Sequence, residues 1–126
     1  MAIQLNHTIL AAKDPRETAD FFTRVFGLAE PENYGPFLVL QLSNAVSLDV
    51  LREDGPITPQ HYAFLVGESE FDEIFGRLTE RGEQYWADPF HREPGRINHW
   101  YGGRGVYFLD PSGHKLEIMT KPYEIG

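Results

Sequence analysis

Two histidines and two carboxylates recur at matching positions of an internal repeat. His61 follows His7 by 54 residues, and Glu117 follows Asp49 by 68 residues, with apolar neighbours on both sides of each carboxylate. Imidazole and carboxylate groups without sulfur suit Fe(II), Mn(II), Ni(II), Co(II) or Zn(II), and two histidines with one carboxylate leave coordination positions open. We predict that His7, His61 and Glu117 bind a divalent metal, with Asp49 as a possible fourth ligand or a nearby base.

Each residue also has a simpler interpretation when it is taken alone. A single histidine on a strand is more often packed or solvent-facing than a ligand, and a single carboxylate such as Asp49 is usually a surface residue. The matched placement of both residue types in two halves of the chain favours the metal site.

The N-terminal half must position His7 and Asp49 through a strand, a helix and further strands. The predicted elements are a strand at residues 3–11, a helix starting at Pro15, and strands at residues 37–42 and 45–51. Asp14 is the predicted N-cap, Glu17 closes a capping box, and Gly27 ends the helix. His7 then lies on the first strand of this half and Asp49 on the last.

The same order of elements starts again after a linker at residues 52–59. The predicted elements are a strand at residues 60–66, a helix that begins at a capping box at 69–72 and ends before Gly82, and strands at 105–109 and 115–120. This unit is 14 residues longer than the first, most naturally in the irregular run 87–104. We expect two units, at about residues 3–53 and 59–121.

Composition narrows the possible functions. The chain has 126 residues, which suits one domain, and no cysteine, which excludes disulfides and thiolate chemistry. Its 11 basic and 19 acidic residues give a net charge of -8, which argues against nucleic acid or an anionic membrane as the main partner. Without a leader-like or membrane-spanning apolar run, the expected location is cytoplasmic.

Three segments of the sequence resemble the vicinal oxygen chelate superfamily of glyoxalases, bleomycin resistance proteins and extradiol dioxygenases. They are residues 5–8 (LNHT), 60–64 (QHYAF) and 107–117 (YFLDPSGHKLE). The resemblance covers essentially the whole chain. It implies one α+β domain over residues 1–126 whose two tandem βαβββ units form a curved sheet cup around the metal. It also implies a homodimer in which units from two chains complete each site.

A sharper resemblance is to extradiol ring-cleaving dioxygenases. It rests on Ile97–His99, Val106–Tyr107, Asp110–Gly113 and Glu117. It implies that Glu117 ligates iron, that Tyr107 and His99 contact a substrate chelated through vicinal oxygens, and that Fe(II) or Mn(II) is the favoured ion. Those enzymes place a further acid/base histidine on the strand that here carries Asp49. Either Asp49 substitutes for that histidine or the reaction differs.

The irregular run 87–104 has the composition of a substrate lid. It contains Arg92, Arg96, His99, Trp100, Tyr101 and Arg104. Arginines can pair with an anionic substrate through forked hydrogen bonds, and the two aromatic residues can cover an aromatic ring. The alternative is a solvated loop whose arginines pair weakly with surface carboxylates.

The leading prediction for function is therefore a small metal-dependent dioxygenase acting on a small molecule. One alternative is a glyoxalase-type isomerase or lyase that uses Asp49 as a fourth ligand. A fosfomycin-modifying transferase is less favoured, because Ile9 replaces that family's threonine and its potassium-binding serines are not apparent at residues 102–105. A non-catalytic drug-sequestering protein is disfavoured because such proteins generally lack the ligand set.

Overall fold

Two compact units, one ending at Thr58 and the other beginning at Pro59, make up the chain, and a computed structural model describes residues 2–125. The first unit contains β1 (His7–Ala12), α1 (Pro15–Phe26), β2 (Glu32–Tyr34), β3 (Phe37–Gln41) and β4 (Ser47–Arg52). The second contains β5 (His61–Leu65), α2 (Glu68–Glu80), β6 (Tyr85–Trp86), β7 (Gly105–Leu109) and β8 (Lys115–Met119). The prediction of an α+β fold with two tandem βαβββ units is confirmed.

Each unit forms one four-stranded mixed sheet. The strand orders are β1-β4-β3-β2 and β5-β8-β7-β6. In both sheets the first strand runs parallel to the last, and the other neighbours are antiparallel. A parallel pair needs a long crossover connection, which the helix and the intervening strands provide. The strands that carry the predicted metal ligands are therefore hydrogen-bonded neighbours within each unit.

Helix α1 begins and ends where the sequence predicts. The Asp14 side chain accepts hydrogen bonds from the backbone N–H groups of Arg16 and Glu17, at 3.1 and 3.2 Å. Pro15 takes the first helical position, where its missing N–H has no helical partner to lose. Gly27 ends the helix in the left-handed conformation with φ 74°.

Helix α2 begins before the predicted capping box at residues 69–72, so that prediction is wrong. Gly67 is the N-cap and makes no side-chain capping bond, while Ser69 lies inside the first turn and its Oγ donates to Glu70 at 2.8 Å. Acidic residues in the first turn, among them Glu68, favour this helix start because they lie at the positive end of the helix dipole. Within residues 2–125, neither this helix nor any other has the length and apolar character required to span a membrane.

The strands differ from prediction mainly at their ends. β1 starts at His7 rather than at residue 3, because its parallel partner begins opposite it at Ser47. The short strands β2 and β6 were not predicted, since two or three residues carry no readable alternation.

The helix of the second unit covers one face of its sheet. Val106 pairs with Ile118 and Phe108 with Leu116, and all four side chains are buried. The neighbouring Tyr85 lies on the same face, and its ring meets Phe75 of α2 edge to face at 5.0 Å. The opposite face of this sheet is not covered by α2.

The two helix starts give a test by substitution. Asp14→Ala should lower the free energy of unfolding by about 1 kcal/mol, because two backbone N–H groups lose their acceptor. Ser69→Ala removes a side chain that caps nothing and should change it by less than about 0.5 kcal/mol. Urea unfolding followed by circular dichroism measures both values. Equal losses in the two variants would contradict the assignment of the caps.

Candidate metal centre

Strand register brings three predicted site residues to one face of the second sheet. Glu117 of β8 pairs with Ala63 of β5 and with Tyr107 of β7. His61 lies two residues before Ala63 and therefore points to the same side, because side chains alternate along a strand. Cross-strand partners share a face. His61, Tyr107 and Glu117 thus lie opposite the face that α2 covers.

His61 and Glu117 make the central contact of this face. Nε2 of His61 lies 3.1 Å from Oε1 of Glu117. Glu117 is only 1% exposed, whereas the His61 side chain is 45% exposed. Nδ1 of His61 lies 3.2 Å from the carbonyl oxygen of Lys115. A proton on Nδ1 satisfies that carbonyl and directs Nε2 at the carboxylate.

Nε2 of His61 and the carboxylate of Glu117 are suitable ligands for a divalent ion. Both atoms carry lone pairs and neither carries a proton when Nε2 is unprotonated, so a proton or a cation must lie between them. Two donor atoms that are each about 2.1 Å from one ion lie about 3.0 Å apart when they meet it at a right angle. The observed 3.1 Å between Nε2 of His61 and Oε1 of Glu117 matches that spacing. In the described part of the chain, residues 2–125, no group of three or more His, Cys, Asp or Glu side chains is placed to hold an ion.

The first unit presents its histidine and carboxylate in the same register. His7 pairs with Ser47, and Asp49 pairs with Ile9 two residues further along both strands. Oγ of Ser47 donates to Oδ1 of Asp49 at 2.8 Å. Nδ1 of His7 lies 2.8 Å from Oδ1 of Asn6, which leaves Nε2 of this exposed ring for another partner. The sequence repeat is therefore also a repeat in strand register.

Tyr107 is a buried phenol directly across from Glu117. It is 3% exposed, and its ring stacks beside that of His61 with 6.1 Å between centroids. Burial raises the pKa of Tyr107 far above its ordinary value, and the charge of Glu117 and hydrogen bonding with Tyr123 raise it further. Tyr107 therefore keeps its proton in the neutral range and is a hydrogen-bond donor beside the carboxylate.

An aromatic cavity of about 540 Å³ opens beside Tyr107. It is lined by Pro89, Trp100, Tyr101, Tyr107 and Tyr123. The Trp100 ring lies 6.2 Å from the Tyr107 ring, and the preceding residue, His99, is exposed. A cavity of this size with aromatic walls is typical of a small-molecule site. The structure thus places the two predicted lid aromatics next to Tyr107.

Arg104, one of three predicted lid arginines, ties the irregular run to α2. Its Nε donates to Glu68 and its Nη1 to Asp72, both at 2.8 Å. Hydrogen bonding to Asp72 raises the pKa of Arg104 above its ordinary value. These donors are engaged within the second unit, which leaves the exposed Arg92 and Arg96 as the arginines of the predicted lid.

Sequence reasoning missed Tyr123, which lies beyond β8. Its hydroxyl donates to Oε1 of Glu117 at 3.3 Å, and its ring lies 6.0 Å from that of Tyr101. Burial raises the pKa of Tyr123, and the nearby charge of Glu117 adds to that rise. A tyrosine that follows the last strand belongs to no periodic pattern, so its aromatic character was the only available signal.

Known proteins share this arrangement of elements. A profile of the Glyoxalase/Bleomycin resistance protein/Dioxygenase superfamily matches residues 4–118. The solved structure of Oxidase ChaP-H1 is 59% identical, with a TM-score of 0.96 over 98% of this chain and 100% of that chain. Glutathione transferase FosA of Serratia marcescens is 33% identical over 94% of this chain and 81% of its own length. Metallothiol transferase FosB of Lysinibacillus sphaericus is 30% identical, with 95% and 84% covered. All three are named as enzymes.

The free energy of unfolding tests whether Arg104 anchors the irregular run to α2. Arg104→Gln should lower the free energy of unfolding by about 1 kcal/mol, because three charge-assisted hydrogen bonds to α2, two to Glu68 and one to Asp72, are lost. Arg96→Gln, at an exposed position of the same run, should change it by less than about 0.5 kcal/mol. Urea unfolding at low and high salt measures the difference. A loss for Arg104→Gln no larger than that of the control would contradict the anchor.

Proposed function

We propose an activity from one premise: the chain belongs to the Glyoxalase/Bleomycin resistance protein/Dioxygenase superfamily. The proposed activity is metal-dependent oxidation of a small molecule that chelates through vicinal oxygens, in the manner of a small ring-cleaving dioxygenase. The contact of His61 with the buried Glu117 is the observation that carries it. The 59% identity to Oxidase ChaP-H1 supports a reaction that uses oxygen.

His7, His61 and Glu117 are the proposed ligands, and Asp49 is a possible fourth. Fe(II) or Mn(II) is the favoured ion, with Ni(II), Co(II) or Zn(II) as substitutes, because the donors are nitrogen and carboxylate oxygen without sulfur. When bound, such an ion supplies Lewis acidity toward the chelating oxygens, and Fe(II) or Mn(II) also supplies redox chemistry. A positive partner stabilises a buried carboxylate, which fits Glu117 as a ligand.

Neighbouring residues have proposed roles in binding and proton transfer. The protonated phenol of Tyr107 donates a hydrogen bond to a substrate oxygen as charge develops on it. His99, the exposed residue that precedes Trp100, contacts the substrate and guides protons. If Asp49 does not bind the ion, it acts as the acid/base where extradiol enzymes use a histidine. Trp100 and Tyr101 pack on an aromatic ring.

The lid arginines complete the proposal for substrate binding. Arg92 and Arg96 are exposed in the same run as the cavity aromatics. Their guanidinium groups attract an anionic group on the substrate through forked hydrogen bonds. A planar, hydroxylated and anionic aromatic compound meets all of these contacts.

A glyoxalase-type isomerase or lyase is the second candidate. It is favoured by the register of Asp49, which places a second carboxylate on the face of His7 and lets it serve as a fourth ligand. A thiol transferase, as the names of FosA and FosB suggest, has weaker support, because Ile9 stands where that family has a threonine.

Metal binding and oxygen uptake test the proposed activity together. Purified without chelators, the protein should bind Mn(II) or Fe(II) stoichiometrically and consume oxygen with one member of a catechol panel. His61→Ala should weaken metal binding by more than about 100-fold because it removes a ligand. The control His91→Ala removes a ring that stacks on Trp86 outside the proposed ligand set, and it should still bind the metal.

Three outcomes separate the alternatives. Turnover of a methylglyoxal hemithioacetal under nitrogen, without oxygen uptake on catechols, would replace the dioxygenase with the lyase. Binding of an aromatic drug by wild-type protein that takes up none of the five metals would support sequestration. Full metal binding by His61→Ala would refute the ligand assignment.

A shared site in a homodimer is a separate proposal, tested by mixing variants. His7→Ala and Glu117→Gln each disable both sites of their own homodimer. If His7 of one chain joins Glu117 of the other, each mixed dimer contains one intact site, so random pairing restores about one quarter of wild-type Mn(II) binding. Native mass spectrometry verifies that mixed dimers form. Mixed dimers without restored binding would contradict sites shared between chains.

A further inference from the structure

Residues 121–125, here called the C-terminal segment, bring an additional hydrogen-bond donor to Glu117. The Tyr123 hydroxyl donates to Oε1 of Glu117 at 3.3 Å, and the same oxygen lies 3.1 Å from Nε2 of His61. Tyr123 is 52% exposed, whereas Glu117 is 1% exposed. A solvent-accessible segment thus supplies a hydrogen bond to a buried carboxylate at the centre of the site.

The path of this segment is fixed where it leaves β8. A Cβ added to Gly103 would lie 2.6 Å from Cγ of Lys121 and 2.6 Å from Oγ1 of Thr120, so the absence of a side chain there lets the segment pass close to the irregular run. Thr120 is tied to that run by two hydrogen bonds with Arg104, at 2.8 and 2.9 Å. The chain is therefore directed back over the site face before it reaches Tyr123.

Tyr123 also forms part of the cavity wall. It lines the cavity together with Tyr101 and Tyr107. The ring contact between Tyr123 and Tyr101 joins the C-terminal segment to the irregular run. One side chain thus contacts both the carboxylate and the aromatic wall.

We propose that Tyr123 is a positioning residue for Glu117 and that the C-terminal segment thereby contributes to metal binding. This inference rests on the proposed function for its metal-binding consequence. A carboxylate has lone pairs enough to accept from a phenol and bind a cation at once. The phenol of Tyr123 fixes the orientation of the carboxylate, as outer hydrogen bonds do for metal ligands.

The proposal has a reciprocal consequence. If the contact of Tyr123 with Glu117 favours metal binding, metal binding must favour the ordered C-terminal segment by the same factor. Ordering of the segment would close the cavity wall at Tyr123. Occupation of the metal site and formation of the substrate cavity are then coupled through one hydrogen bond.

Tyr123→Phe tests the proposal because it removes only the hydroxyl. Titration with Mn(II), followed by loss of the free-ion electron paramagnetic resonance signal, should give an affinity about 10- to 100-fold below wild type. Tyr34→Phe makes the same chemical change at an exposed tyrosine of β2 and should keep wild-type affinity within about twofold. Wild-type affinity in Tyr123→Phe would overturn the proposal.

A second measurement, on metal-free protein, does not depend on the proposed function. In protein labelled with 3-fluorotyrosine, the fluorine resonance of Tyr123 is the one that Tyr123→Phe removes. Glu117→Gln should shift that resonance, whereas Glu80→Gln, at an exposed position of α2, should not. An unshifted resonance in Glu117→Gln would overturn the contact. Wild-type protein that binds none of the five metals would refute the proposed function, and the fluorine result would still decide whether Tyr123 contacts Glu117.

Discussion

A buried carboxylate at the centre of a sheet is the constraint on which the site depends. Glu117 is almost completely buried, and an ionised carboxylate away from water is unstable without positive or hydrogen-donating partners. His61, Tyr107 and Tyr123 come from three separate parts of the second unit to meet that need. The parallel pairing of β5 with β8 makes the contact with His61 possible, because it sets both residues on one face.

The two halves of the repeat share this pairing but differ in what surrounds the carboxylate. Glu117 pairs with Tyr107 of β7, whereas the equivalent cross-strand partner of Asp49 is Val39 of β3. Asp49 instead accepts a hydrogen bond from Ser47 on its own strand. The second unit thus has the aromatic donors and the cavity, while the first offers a histidine and a carboxylate with simpler surroundings. This asymmetry is consistent with a substrate site built mainly on the second unit.

Local patterns predicted the parts of the structure that depend on local physics. Alternation along β5 and β8 placed His61 and Glu117 on matching strands, and the polar side chain of Asp14 before Pro15 located the start of α1. The start of α2 was predicted wrongly, because Ser69 has the residue type of a cap but lies within the helix.

Contacts between residues that are far apart in the chain could not be predicted from the sequence. Arg104 resembled a lid residue until the structure placed it beside Glu68 and Asp72, which precede it by 36 and 32 residues. Tyr123 had no signal beyond its aromatic character, because its contact with Glu117 depends on the path of the chain after β8. The fold is thus readable from periodicity, while the partners of a site residue depend on tertiary packing.

Glu117 and His61 are the two proposed ligands that contact each other, and a crystal structure of metal-replete protein with anomalous scattering at the metal edge shows whether they bind an ion. We expect one strong anomalous peak per site, at about 2.0–2.3 Å from Nε2 of His61, from a carboxylate oxygen of Glu117 and from a His7 ring nitrogen. The peak also identifies the ion and shows whether Asp49 reaches it. A metal-soaked crystal without such a peak, or with the ion bound away from Glu117, would show that His61 and Glu117 are not the metal ligands.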